Sequence, residues 1–213
     1  YLVAGLGDSL ATWYEARVCL NNSKALTPIG ARPTLASCAI AEVCARTLFE
    51  YGQAAAQAVI ANVCDDALER VVEANTLLSG IGFESGGLAL AHPMALAFTQ
   101  IDAIHHDYLH GEMVAMGTLI QLALEDAAEA AEVAHFFARI GLSIHLAQLS
   151  LSPTDTTAMD TIIESALKNR NAHHMPMSVT ADKLRAAMLD ANALGLQVAA
   201  EAGDAAYRRV HSR

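Results

Sequence analysis

Nine histidines are many for a domain of 213 residues, and His92, His105, His106 and His110 crowd one central stretch, with His135 just beyond it. Imidazole is the commonest protein metal ligand and exchanges a proton near neutral pH, so such a cluster points to metal binding or acid–base work. His92 stands at the end of an apolar run, Leu88-Ala89-Leu90-Ala91, where an imidazole without a partner loses its hydration for no return. It therefore needs one. His110 is expected to open a helix; Gly111 after it leaves room for a ligand, and the charge of Glu112 suits the positive end of that helix. Asp8, preceded by Gly5 and Gly7, is placed the same way in the first turn of the first helix. Each residue also has an ordinary reading: His92 as a satisfied core histidine, His110 as a helix-end residue, Asp8 as an N-terminal cap. Spacing alone does not bring the three together.

Other chemistries find less support. His106 and His110 are four apart, but the His-Glu-x-x-His metalloprotease pattern is missing. Glu132 and His135 make a single Glu-x-x-His, whereas a di-iron bundle requires two and two further glutamates. Gly5, Gly7, Gly80, Gly82, Gly86 and Gly87 follow no convincing strand, so no phosphate-cradling unit is expected. Ser85 does not complete a nucleophile elbow.

The elements that must position these side chains read as helices throughout. The first is expected from about Asp8 to Asn21-Asn22. A long segment from Thr34 to Ala61 follows, with Gly52 as a break, and another runs from Asp65-Asp66 to the glycines Gly80 and Gly82. Leu88 to Phe98 reads as a buried helix kinked at Pro93. A polar stretch from Asp102 to Leu109 leads to a helix from Met113 to Glu125. Further helices are expected over 127–140, 157–169 and 181–208, the last divided near Gly195. No alternating run long enough for a sheet is present, and no internal repeat. The expected architecture is an all-α, multi-helix bundle.

Composition agrees. The chain is 54% hydrophobic but only 5% aromatic, so its apolar content is mainly the small aliphatics that suit close helix packing. Its length fits a single domain with a core of ordinary size. A formal charge of −10 repels phosphate backbones and anionic membrane surfaces, which argues against nucleic acid as a partner. No apolar run approaches a membrane span of about 20 residues, so no membrane partner is expected. Cys19, Cys38, Cys44 and Cys64 form no C-x-x-C pair and are expected to be free, buried thiols in helices, consistent with a reducing, cytoplasmic location. Tyr1 to Gly7 has neither the basic flank nor the long apolar stretch of a signal peptide and looks like the edge of an interdomain boundary.

Four segments in one order carry a resemblance. The run from Gly5 to Ala16 around Asp8, the run from Glu73 to Ala89, His92 shortly after it, and the run from His110 to Leu119 together look like the glycerol dehydrogenases, a zinc-dependent branch of the iron-containing alcohol dehydrogenase superfamily. The resemblance covers nearly the whole chain. It implies that residues 1–213 are the helical metal-binding catalytic domain of the dehydroquinate synthase-like fold, and that the N-terminal nucleotide-binding domain is absent from this chain. It implies Asp8, His92 and His110 as the three protein ligands of a catalytic Zn2+, with an open fourth position. Iron-binding members carry a further histidine four positions after the aspartate; Thr12 stands there and favours zinc. By the same resemblance the activity is NAD-dependent oxidation of glycerol or a related vicinal diol to dihydroxyacetone or its analogue. NAD would be held mainly by the other domain, so this chain alone should bind metal without turnover, and the enzyme should form a homo-oligomer.

The sequence departs from the family after His92, where Pro93-Met94-Ala95-Leu96 replaces the usual His and Asn. That keeps open a hydroxycarboxylate dehydrogenase of the same superfamily, or a non-catalytic helical scaffold with the metal pocket retained. The run before His110 also differs, which leaves His106 as a proton-relay expectation. His173-His174-Met175-Pro176 resembles a family loop near the active cleft.

Overall fold

The computed structural model describes residues 1–212, and among them every regular element is a helix. The chain runs through α1 (Leu2–Asn21), α2 (Leu35–Ala61) and α3 (Asp66–Glu73), then a π-helical turn (Ala74–Leu78) that leads directly into α4 (Ser79–Gly86). After these come α5 (Ala91–Phe98), α6 (Asp102–Asp107), α7 (His110–Glu125) and α8 (Ala130–Ile140). A 3-10 turn (Leu146–Leu149), α9 (Thr156–Lys168), a second 3-10 turn (Arg170–His174), α10 (Ala181–Ala202) and α11 (Ala205–His211) complete it. The expected all-α bundle is what forms.

Two helices are interior. Between Leu6 and Cys19 of α1, only Asp8, Trp13 and Arg17 are less than fully buried, and α7 is buried without interruption from Gly111 to Leu122. A helix enclosed on most sides must be mainly apolar or small, as the Ala, Gly and Leu content of both segments makes them, and its buried polar groups, here Glu15, Glu112 and Gln121, must be paired. Helices α2, α4 and α7 pack around α1, while α5 lies against α7 and α9, and α10 covers α7 and α8. One continuous core, with Leu10, Leu48, Phe98, Met116 and Phe137 fully enclosed, joins them.

The inner helices meet through backbone. A Cβ on Gly111 would overlap the carbonyl of Ala4, one on Gly7 would lie 2.6 Å from the carbonyl oxygen of Gly111, and one on Gly117 would overlap the carbonyl of Ala91. Absent side chains thus let α1 and α5 press directly onto α7.

Several expected boundaries are corrected. Helix α1 begins at Leu2, so Asp8 lies on its second turn rather than at its dipole end. Gly52 does not break α2; a Cβ there would meet the Phe136 ring at 2.9 Å, so its smallness serves packing. Gly80 and Gly82 continue the helix into α4, and Gly195 leaves α10 intact while the carbonyl of Ile144 sits against it. The real break comes at Gly203, with φ +73°. Pro93 falls in the first turn of α5, where its missing N–H costs no hydrogen bond, so no kink results. Asp102 to Asp107 forms a short helix instead of a polar stretch. Cys19, Cys38 and Cys44 are buried as expected, but Cys64 is exposed between α2 and α3. Among the described residues, no helix is long and apolar enough to cross a membrane.

Candidate metal centre

Asp8 on α1, His92 on α5 and His110 at the first position of α7 converge. The His92 Nε2 lies 3.1 Å and the His110 Nε2 3.9 Å from Asp8 Oδ1, and one donor atom from each residue falls within 4.8 Å of the others. Ligands about 2.0–2.1 Å from a tetrahedral zinc stand roughly 3.3 Å apart, so the set fits such an ion after a small inward movement of one ring. His110 can make that movement, since its side chain is 47% exposed against 9% for His92. Two imidazoles and a carboxylate are also a donor set that catalytic zinc takes with one position left open. Among the described residues, no other group of His, Cys, Asp and Glu side chains draws together in this way.

The close helix crossings explain the convergence. Gly7 precedes Asp8, Gly111 follows His110, and Ala91, whose carbonyl rests on Gly117, precedes His92. Each of the three residues is therefore adjacent to a point where two main chains touch.

His92 has the partner its burial demands, and it is Glu15, which sequence reasoning did not single out. Glu15 is fully buried on α1, two turns beyond Asp8. Its Oε2 lies 2.5 Å from His92 Nδ1, and its Oε1 accepts from the backbone N–H of Ala89 at 2.9 Å and of His92 at 3.1 Å. The available signal was an acidic residue seven positions after Asp8, on the same face of a largely apolar helix. The amides of Leu90 and Ala91 bond in turn to Gln121 Oε1 on α7, whose Nε2 donates to the carbonyl of Tyr14. Helix α5 has no capping side chain of its own; its free N-terminal amides are satisfied by α1 and α7.

Electrostatics follow from this packing. Burial alone would lower the His92 pKa, but the Glu15 and Asp8 carboxylates on its two nitrogens outweigh it and raise the value to about 10. Burial pushes Asp8 upward, yet its hydrogen bond and charge interaction with His92, and the nearby His110, leave its carboxyl below the usual range. His110 is lowered, mainly by burial. Glu112 does serve the start of α7: its Oε2 accepts from the N–H of Leu109 at 2.6 Å, and its Oε1 lies 2.6 Å from His211 Nε2 on α11.

The three residues open onto a cavity of about 460 Å³. Thr12, Ser79 and Asn75 give it polar groups, while Phe83 and Leu96 give it an apolar wall. The Phe83 ring is centred 5.7 Å from that of His92. The Oδ1 of Asn75 is buried and without a hydrogen-bond partner; the residue stands in the π-turn, a geometry often found at functional sites. His106 is not brought here: it is exposed and packs edge-on against His105. His174 bonds the carbonyl of Leu88 at 2.7 Å and so supports the segment before His92, whereas His173 bonds the carbonyl of Leu167 at the surface. A larger cavity of about 630 Å³ lies beside Arg17, Lys24 and His173. Arg17 there is already paired with Glu125 and Glu129.

Solved structures define the class first. The chain superposes on a probable glycerol dehydrogenase from Sinorhizobium meliloti 1021 with a TM-score of 0.87 at 36% identity, over 92% of this chain and 56% of that one. On the glycerol dehydrogenase from Schizosaccharomyces pombe the TM-score is again 0.87, at 33% identity, over 95% of this chain and 53% of that one. The helical bundle is thus one found within dehydrogenases of this kind. No family model matches the sequence. The glycerol dehydrogenase of Escherichia coli O6:H1 is 47% identical over 197 residues, which cover 91% of this chain and 53% of that protein. The chain is accordingly homologous to the glycerol dehydrogenases, and it spans about half the length of the curated relatives it matches.

Proposed function

We propose that this chain is the metal-binding half of an NAD-dependent glycerol dehydrogenase, with Asp8, His92 and His110 holding Zn2+. The observation that carries the reading is the meeting of those three donors, from three separate helices, at the mouth of one cavity. A divalent ion of this type, when bound, supplies Lewis acidity that lowers the pKa of a substrate hydroxyl. The reaction would be oxidation of glycerol or a related vicinal diol to dihydroxyacetone or the matching hydroxyketone, with NAD, when bound, as the hydride acceptor. Within the chain, Phe83 and Leu96 keep water from one side of the reacting carbon, while Thr12, Asn75 and Ser79 offer hydrogen bonds to a second hydroxyl. The nucleotide-binding domain that holds NAD lies outside these 213 residues in this reading. Assembly as a homo-oligomer in the cytoplasm belongs to the same proposal.

Zinc content of the purified chain tests it. About one ion per chain is expected, falling sharply in Asp8→Asn and His110→Ala. Less than about half an ion per chain, unchanged by either variant, would instead favour a non-catalytic scaffold. A 2-hydroxy acid as substrate is a second reading, motivated by Pro93-Met94-Ala95-Leu96 after His92. The described cavity lining contains neither Lys nor Arg to receive a carboxylate, which favours the neutral diol. Assay of the protein with its nucleotide-binding domain on glycerol and on 2-hydroxy acids separates the two, and faster turnover of the acids would reject the diol.

A further inference from the structure

We propose that Glu15 is the positioning residue of the metal centre, holding His92 so that its Nε2, and not its Nδ1, faces Asp8 and the ion. The proposal rests on the metal-site reading above. An imidazole can turn either nitrogen toward a metal, and the hydrogen bond made by the other nitrogen decides which. Glu15 Oε2, 2.5 Å from Nδ1, accepts only and therefore holds a proton on Nδ1, so Nε2 is the nitrogen that would give up its proton and offer a lone pair to an ion. The same carboxylate fixes the main chain that carries the ring. Its Oε1 takes the N–H groups of Ala89 and His92, so one side chain sets both where α5 starts and how its histidine is turned. Because Glu15 and Asp8 share α1, the helix that supplies one ligand also orients a second. Gln121 completes the arrangement by bonding the two amides between, those of Leu90 and Ala91.

The test is zinc affinity of the chain, measured by competition with a chromophoric chelator, for wild type, Glu15→Gln and Cys44→Ala. Glu15→Gln keeps the shape but can place an amide N–H against Nδ1–H. Cys44→Ala perturbs an equally buried position whose thiol bonds only the backbone carbonyls of Ser9 and Ala74 and none of the three donor side chains. Loss of a partner of this kind costs metal affinity about 10–100-fold, so that loss is expected for Glu15→Gln, with Cys44→Ala close to wild type. Affinity of Glu15→Gln within about twofold of wild type would overturn the positioning role while leaving the metal site intact. No zinc binding by wild type would remove the metal reading itself. Should Glu15→Gln fail to fold, nitrogen-15 NMR of the zinc-loaded wild type decides. A protonated Nδ1 and a zinc-shifted Nε2 on His92 support the assignment, and the reverse pattern overturns it.

Discussion

His92 is flanked by two carboxylates, and both are acceptors only. Bonding to Glu15 through Nδ1 and to Asp8 through Nε2 engages both ring protons, which agrees with a pKa raised to about 10. A metal ion on Nε2 would take the place of the proton that faces Asp8, and the lowered values of His110 and Asp8 suit both groups to bind it without further proton loss. Zinc binding near pH 7 should therefore release about one proton per ion, and affinity should climb with pH across the neutral range. Calorimetry in buffers of different ionisation enthalpy reads this directly; a binding heat independent of buffer would contradict it. The sign for stability is the opposite one. For the metal-free protein, a histidine raised above its unfolded value of about 6.5 contributes stability that is complete below that pH and is lost as pH rises through about 10. At this scale the sequence was legible to a point. It marked His92 as needing a partner, but Glu15 is 77 positions away, and only the folded chain brings them into contact.

Between elements, the important residues are those with no side chain. Gly111→Ala would force α1 and α7 apart, because the atom it meets is the Ala4 carbonyl and backbone cannot swing aside. Such overpacking costs about 1–3 kcal/mol, or roughly 2–4 °C of Tm for each kcal/mol in a chain of this size. Zinc affinity should fall with it, since His110 is the residue immediately before. Gly80→Ala should do the reverse: nothing lies within 4 Å of a Cβ there, and the position is helical and exposed. Alanine gains about 0.8–1 kcal/mol of helix propensity over glycine. Thermal melts of the two variants should move in opposite directions, and a shared direction would refute the packing argument. The same glycines explain where the sequence misled. Gly52, Gly82 and Gly195 read as helix breakers by local propensity, yet they face Phe136, Thr12 and the Ile144 carbonyl, and tertiary packing overrides propensity. Helix identity was readable from composition; helix ends were not.

Across the whole molecule, an ion on Asp8, His92 and His110 would tie together α1, α5 and α7, parts of the chain as far apart as residues 8 and 110. It binds the native bundle only, so it should stabilise by about 2.7 kcal/mol when free zinc is a hundred times Kd, a Tm rise on the order of 5–10 °C. Melting with zinc and with a chelator should show this difference, and Asp8→Asn should abolish it; equal melts for wild type would rule it out. The three converging residues could be named from sequence because their flanking segments resemble a known family. Their meeting point could not, since it depends on backbone contacts at Gly7, Gly111 and Gly117 that no local pattern encodes. The borrowed capping of α5 bears on the order of events during synthesis and refolding. Helix α5 has eight residues, too few to persist alone in water, where lengths below about 12–15 are marginal. Its leading amides are held by Glu15 upstream and Gln121 downstream. A growing polypeptide that has not yet reached Gln121 thus lacks one of the two clasps, so His92 can be fixed in place only once α7, which also carries His110, has been made. Metal capture at the proposed centre should therefore follow closure of the bundle, and a refolding rate accelerated by zinc would contradict this.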